Sequence, residues 1–252
     1  MRRVLPLPLI VIAALSAANS AGAQSPLRAY EPLSFTRPAI VGDGSYAAFR
    51  GSLAAVAKNR IYAELAALVI DQGFFWERDF GHQFDPHKPA ADNLAVAVAL
   101  ESGNGIGWET LAAFAAEPSV EPLPSRPGVI CAPARPSFDS VAFSGMLERT
   151  YTTGMDWAVP RLDETPVRAE AKAEAPQVGT LGVHFVRLLG FEGPDSEPAP
   201  GRKLWAHVEL PDGKDGYVSP GSLMSLTAER LCFVKDLLGA WRITGYIAGG
   251  DR

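Results

Sequence analysis

The chain has 252 residues, 47% of them hydrophobic, and sets 23 basic residues against 28 acidic ones for a net charge of −5. That acidic balance, without a run of Lys or Arg, speaks against nucleic acid and anionic lipid as partners, since both are held by clustered cations. The apolar fraction supports a real core, and the length suits one large domain or two small ones.

The first residues read as an export signal. Arg2 and Arg3 precede an apolar run over residues 5–18, broken by Pro6 and Pro8, and Ala21-Gly22-Ala23 follows. The run is too short for a permanent bilayer span, and the small residues suit cleavage. The expectation is a signal peptide over 1–23, a mature chain from Gln24, a periplasmic or secreted location, and no stable membrane span after cleavage. Without Arg2 and Arg3 the net charge moves from −5 to −7.

Residues 24–44, dotted with Pro26, Pro32 and Pro38, read as an extended lead-in. A helical unit is expected over 45–116. Asp43-Gly44-Ser45 offers an N-cap, because a short polar side chain accepts the free amides of a first turn. Phe49, Leu53 and Val56 follow at helical spacing, and Ile61, Leu65, Leu68 and Val69 repeat it up to Gln72-Gly73. Phe74-Phe75-Trp76 reads as a short buried strand. Asp92 opens a third helix carrying Leu94, Ala97 and Val98. After the Gly-rich break at 102–107, Trp108, Leu111, Ala112 and Ala115 form a fourth, closed before Pro118. Residues 117–159 read as a Pro-rich connector containing Val129-Ile130-Cys131, with Val141, Phe143 and Met146 free to pack on either side.

Residues 160–252 read as short strands. In LWAHVEL, Leu204, Ala206, Val208 and Leu210 face one way, and Trp205, His207 and Glu209 the other. Pro211-Asp212-Gly213 turns the chain, Gly216-Tyr217-Val218 resumes it, and Ser219-Pro220-Gly221 ends it. Upstream, Val167-Arg168, then Gln177-Val178-Gly179-Thr180-Leu181, then Phe185-Val186-Arg187-Leu188-Leu189 supply three more strands. RAEAKAEA at 168–175 reads as a polar loop between two of them, although Ala, Glu and Lys are good helix formers.

Taken in order over residues 166–226, these stretches resemble a bacterial SH3-like domain of the SH3b type. The resemblance implies a β-barrel that binds rather than catalyses, with a peptide, a peptidoglycan fragment or an envelope protein as partner. Trp205 and Tyr217 are the candidate ligand-binding residues: they either line a groove or pack the barrel rim. Gly182-Val183-His184 departs from the family pattern, and the acidic loop GFEGPDSEPAPG at 190–201 is long where it would border the groove. Arg230-Leu231-Cys232-Phe233-Val234 and the strand at 241–247 form a hairpin expected to extend or cover the barrel. The expected fold class is α+β: a small, mainly helical N-terminal unit followed by an SH3-like β-barrel with a C-terminal β-hairpin.

Other chemistry is thinner. His82, Asp85 and His87 in GHQFDPHK have zinc-ligand character, but their spacing matches no common zinc motif and Pro86 makes the stretch a loop, so a solvated turn and no metal are expected. Glu77, Arg78 and Asp79 read as a polar site or an exposed strand face. No cofactor motif appears: residues 103–107 are Gly-rich without a convincing strand before them, and Gly-x-Ser-x-Gly is absent. Cys131 lacks the context of a nucleophile and has Cys232 to pair with. An even pair of cysteines in an exported chain reads as a disulfide. The expected function is non-catalytic periplasmic binding or scaffolding. The alternatives are a cell-envelope hydrolase with its site between the two units, and a small-ligand pocket in the helical unit lined by Phe74, Phe75, Trp76 and Trp108.

Overall fold

The computed structural model describes residues 29–38, 40, 42–78, 81–193 and 204–249. The stretch expected to be a signal peptide with its cleavage site, Asp79, and the larger part of the acidic 190–201 loop lie outside the described residues. No helix among the described residues is long and apolar enough to cross a membrane.

In chain order come α1 (Gly44–Asn59), α2 (Tyr62–Leu68), β1 (Phe75–Glu77), α3 (Ala90–Ala97), α4 (Ile106–Ala116), β2 (Glu121–Pro122), β3 (Ile130–Ala132) and α5 (Ser140–Thr150). The strands β4 (Trp157–Pro160), β5 (Thr165–Arg168), β6 (Gln177–Leu181), β7 (Val186–Glu192), β8 (Trp205–Glu209), β9 (Asp215–Val218), β10 (Leu223–Ser225), β11 (Arg230–Lys235) and β12 (Trp241–Ile247) complete the chain. Asp43 starts α1 as its sequence suggests, its carboxylate accepting the amides of Ser45 at 2.8 Å and Tyr46 at 3.3 Å. The polar stretch after Arg168 is a loop joining β5 to β6.

The strands form two sheets. One has the order β1-β12-β11-β3-β2 and the other β10-β4-β7-β8-β9-β5-β6. Helices α1 to α4 cover one face of the first sheet, where Leu53, Leu65, Leu94 and Leu111 pack on Leu231, Phe233, Ile243 and Tyr246. Its other face buries Phe75, Leu123, Val129, Cys131, Cys232 and Ile247.

This corrects the expected fold class. The seven-stranded sheet is open, with β10 and β6 as its edges, and not a closed SH3-like barrel. The N-terminal helices do not form a unit of their own but a layer on a mixed sheet whose other strands come from after residue 116. The C-terminal hairpin does not cover the second sheet; β11 and β12 are two of the three inner strands of the first. The physical reason lies in burial. Arg230, Leu231, Cys232 and Phe233 are buried in succession, so β11 needs cover on both faces, as inner strands do. Alternation tells which way side chains point but not which sheet will receive them. Val129-Ile130-Cys131 likewise leads into a strand and not a connector, pairing with β11.

The seven-stranded unit is therefore an excursion from the first sheet. The chain leaves at β3 and returns at β11, where Cys131 and Cys232 stand directly opposite and are joined by a disulfide. Beside it, buried Arg230 donates to the Pro133 carbonyl at 3.2 Å and pairs with Glu121 at 2.8 Å. The lead-in is also part of the fold. Tyr30 and Phe35 are buried with Phe143, Met146, Trp157 and Phe185 against the second sheet. Farther on, Thr36 bridges Ser137 and Ile40 bridges Ser119. This strap of extended chain crosses from one unit to the other.

Gly245 shows how closely β12 is packed. It lies opposite Phe75 of β1 and Cys232 of β11, and an added Cβ would stand 2.3 Å from the Phe75 ring. Gly245→Ala is expected to destabilise by about 1–3 kcal/mol through overpacking. A lower urea midpoint with unchanged slope would show it, and an unchanged midpoint would refute the packing.

Candidate functional site: a cleft between the two sheets

Where the two units meet there is a cleft of about 750 Å³. Its first wall comes from α4 and the segment after it: Ala113 and Ala116 are exposed, Phe114 is buried, and Glu117-Pro118-Ser119 follows. The opposing wall is the end of β4, Val159-Pro160-Arg161, with Met224 of the neighbouring β10. The strap closes the side with Phe35, Arg37, Pro38 and Ile40. Small side chains on α4 leave the space open, and Pro38, Pro118, Pro133 and Pro160, on four segments, hold the backbone around it with few torsions to adjust.

The charged groups of the cleft are engaged with one another. Arg161 Nη1 pairs with Glu117 Oε2 at 2.6 Å, so an ion pair links the end of α4 to the end of β4. Burial alone would raise the Glu117 carboxyl, but the hydroxyl and amide of Ser119, with Arg161, outweigh it and hold the group below its ordinary value. Arg37 donates from Nη1 to the Pro160 carbonyl and from Nε to Asp163 at 2.8 Å, with its guanidinium 5.3 Å from the Phe35 ring centre. At the other side Glu229 hydrogen-bonds Tyr246, whose hydroxyl burial first and this carboxylate second push up. With these charges paired, the cleft offers mainly shape and apolar area.

Trp205 and Tyr217 do not reach this cleft. They share the outer face of the seven-stranded sheet, half-buried, while Val208 on the opposite face of β8 is fully buried. Tyr217 stacks on His207 at 4.6 Å and 11° and donates to Glu192 at 3.0 Å, and His207 Nε2 lies 2.7 Å from Asp215. Burial, then Glu192, raises the Tyr217 hydroxyl. The result is a small aromatic platform with two carboxylates at its edge.

The aromatic run does not line this cleft. Phe74 and Trp76 sit in the helix-covered core with Trp108 packed against them, whereas Phe75 is on the other face beside the disulfide. Strand alternation divides the four residues proposed for a small-ligand pocket between two cores. His82, Asp85 and His87 belong to a fastened turn: Asp85 accepts the His87 amide at 2.9 Å, and buried Asn93 clamps the Asp85 backbone at 2.8 and 2.9 Å. Among the described residues no three His, Cys, Asp or Glu side chains are grouped to hold a metal ion. Glu77 pairs with Arg126 at 3.0 Å.

Sequence reading missed Arg37, Glu117 and Arg161. A signal was present: each stands next to a proline, in Arg37-Pro38, Glu117-Pro118 and Pro160-Arg161. Charges beside prolines, here in the lead-in, the connector and the start of the strand-rich part, are held on stiff backbone, which suits a site wall. Comparison of the chain with protein-family models, with curated proteins and with solved structures finds no match.

Proposed function

We propose that this chain is an exported, non-catalytic binding protein that takes an apolar segment of a peptide, of a cell-wall stem peptide or of an envelope protein into the cleft between its two sheets. The observation that carries the reading is the cleft itself, about 750 Å³ and walled mainly by apolar side chains and prolines, a volume typical of sites for short ligands. Export is supported by the Arg2-Arg3 start with its apolar run and by the disulfide, a bond that persists in oxidising compartments. Relationship to bacterial SH3-like domains is supported by the stretches that carry the resemblance, which lie in the consecutive strands β5 to β9. A second reading is favoured by one observation: Trp205, His207 and Tyr217 stand half-buried on one outer sheet face, and aromatic platforms of this kind bind peptides and glycans.

Pull-down on isolated cell-wall sacculi, with a periplasmic extract in parallel, tests both. Ala113→Trp fills the cleft from an exposed position on α4 and is expected to cut capture at least about tenfold, the loss of one well-packed contact of ~1.4 kcal/mol, with an unchanged melting temperature. Trp205→Ala and Tyr217→Ala are expected to leave capture intact. The reverse result moves the site to the outer face, and no capture from either source removes both readings.

A further inference from the structure

The hairpin joining β11 to β12 ends in Asp236-Leu237-Leu238-Gly239-Ala240, and its two leucines are the most exposed large apolar side chains described, at 105% and 92% for Leu237 and Leu238. Nothing in the turn requires leucine. Asp236 Oδ1 accepts the amides of Leu238 and Ala240, both at 2.9 Å, and Gly239 supplies the positive φ of 82°. The backbone closes the loop further, with Asp236 N on the Ala240 carbonyl at 2.8 Å and Gly239 N on the Asp236 carbonyl at 2.9 Å. Turn geometry thus rests on Asp236 and Gly239, and solvent-facing central positions of such turns ordinarily hold polar residues. The hairpin is stiff because β11 and β12 are inner strands of the first sheet.

Three features at this tip point to one kind of surface. Two leucines project together beyond the polar surface. The amides of Asp236, Leu238, Gly239 and Ala240 are satisfied internally, and a hydrocarbon phase penalises unmet backbone donors heavily. Behind the leucines stands a belt of half-buried Trp241 with Lys235 and Arg242, the residue types that settle at headgroup depth. Lys235 lies 5.0 Å from the Trp241 ring. A protein partner would call for a broad apolar patch, whereas this is a narrow wedge.

We infer that the Leu237-Leu238 tip inserts into the outer layer of a lipid bilayer and holds the protein at a membrane surface, independently of what the cleft binds. The collar selects the lipid charge. Lys235 is paired with Asp43 at 3.2 Å and Arg242 with Asp236 at 3.0 Å, so the belt is neutral, and the chain carries −5 overall. The tip therefore docks on zwitterionic headgroups, and anionic lipid weakens it.

Flotation with phosphatidylcholine vesicles tests this, using the chain from Gln24 so that the apolar run at 5–18 does not contribute; every described element is retained. The wild type should float with the vesicles. Leu237→Ser/Leu238→Ser should lower its partition constant at least about tenfold, because both wedge side chains lose their apolar transfer, while its melting temperature stays unchanged. Mixing in phosphatidylglycerol should reduce wild-type binding. A fluorophore on Leu238→Cys should shift to the blue and be quenched by chain-labelled lipid, and one on Glu148→Cys of α5 should not. Absence of wild-type flotation, equal flotation of the double variant, or a dimer that needs the two leucines and ignores vesicles would each overturn the inference.

Discussion

Removing the Cys131–Cys232 bond is expected to destabilise the protein by up to about 4–5 kcal/mol, the loop-entropy figure for a closed loop of this size. The cysteines are 101 residues apart, and the loop they close contains the whole seven-stranded sheet. Without the bond, the unfolded chain regains the freedom of that long excursion, and β11 is held to β3 only by its ladder and by Arg230. For a chain of this length each kcal/mol shifts the melting temperature by roughly 2–4 °C, so a fall of up to roughly 8–20 °C should accompany reduction. Cys131→Ala/Cys232→Ala should reproduce most of it. Urea melts with and without reductant measure the effect. Thiol labelling of the unfolded, unreduced chain should find no free thiol, and two per chain would refute the bond.

Phe185→Ala is expected to cost about 3–5 kcal/mol, as for other fully buried aromatics. Phe185 is 0% exposed, with ring centres of Phe143 at 4.8 Å, Phe138 at 5.0 Å and Phe35 at 5.9 Å. Its backbone holds the strap as well, donating to the Leu33 carbonyl at 2.9 Å and accepting from the Tyr30 hydroxyl at 3.3 Å. Loss of this ring should loosen the strap from the second sheet and speed hydrogen exchange of the Thr36 amide, which donates to the Ser137 carbonyl at 2.7 Å, before global unfolding. Half-buried Phe138→Ala is the comparison and should cost distinctly less. Destabilisation below about 1 kcal/mol, under the range for core aromatics, would show that the strap is seated without Phe185.

Both variants act where the chain returns to itself over long separations, and those places were least legible in the sequence. The local features were legible. Asp43 caps α1 because a short carboxylate beside free amides needs no distant partner. The alternation of β8 placed Val208 inside and Trp205 outside, since that depends only on the two-residue period. The pairing of Cys131 with Cys232 followed from count and compartment alone. The hairpin at 230–247 was recognised as a hairpin, but its destination was not, because an apolar strand fits the centre of any sheet whose two faces are covered.

The sequence by itself determined α1 to α4 and the strands β5 to β9, the capping of α1, the in-and-out order of side chains on β8, and the pairing of the two cysteines, since each rests on neighbours within a few residues or on chemistry without geometry; α5, β4 and β10 were not read from it. Only the tertiary structure decided that the first sheet is assembled from both ends of the chain, that the second sheet stays open, and that Arg37, Glu117 and Arg161 meet across a cleft. Those outcomes depend on which buried faces find cover, and that is settled by packing between segments as far apart as β1 and β12, where Phe75 lies against Gly245.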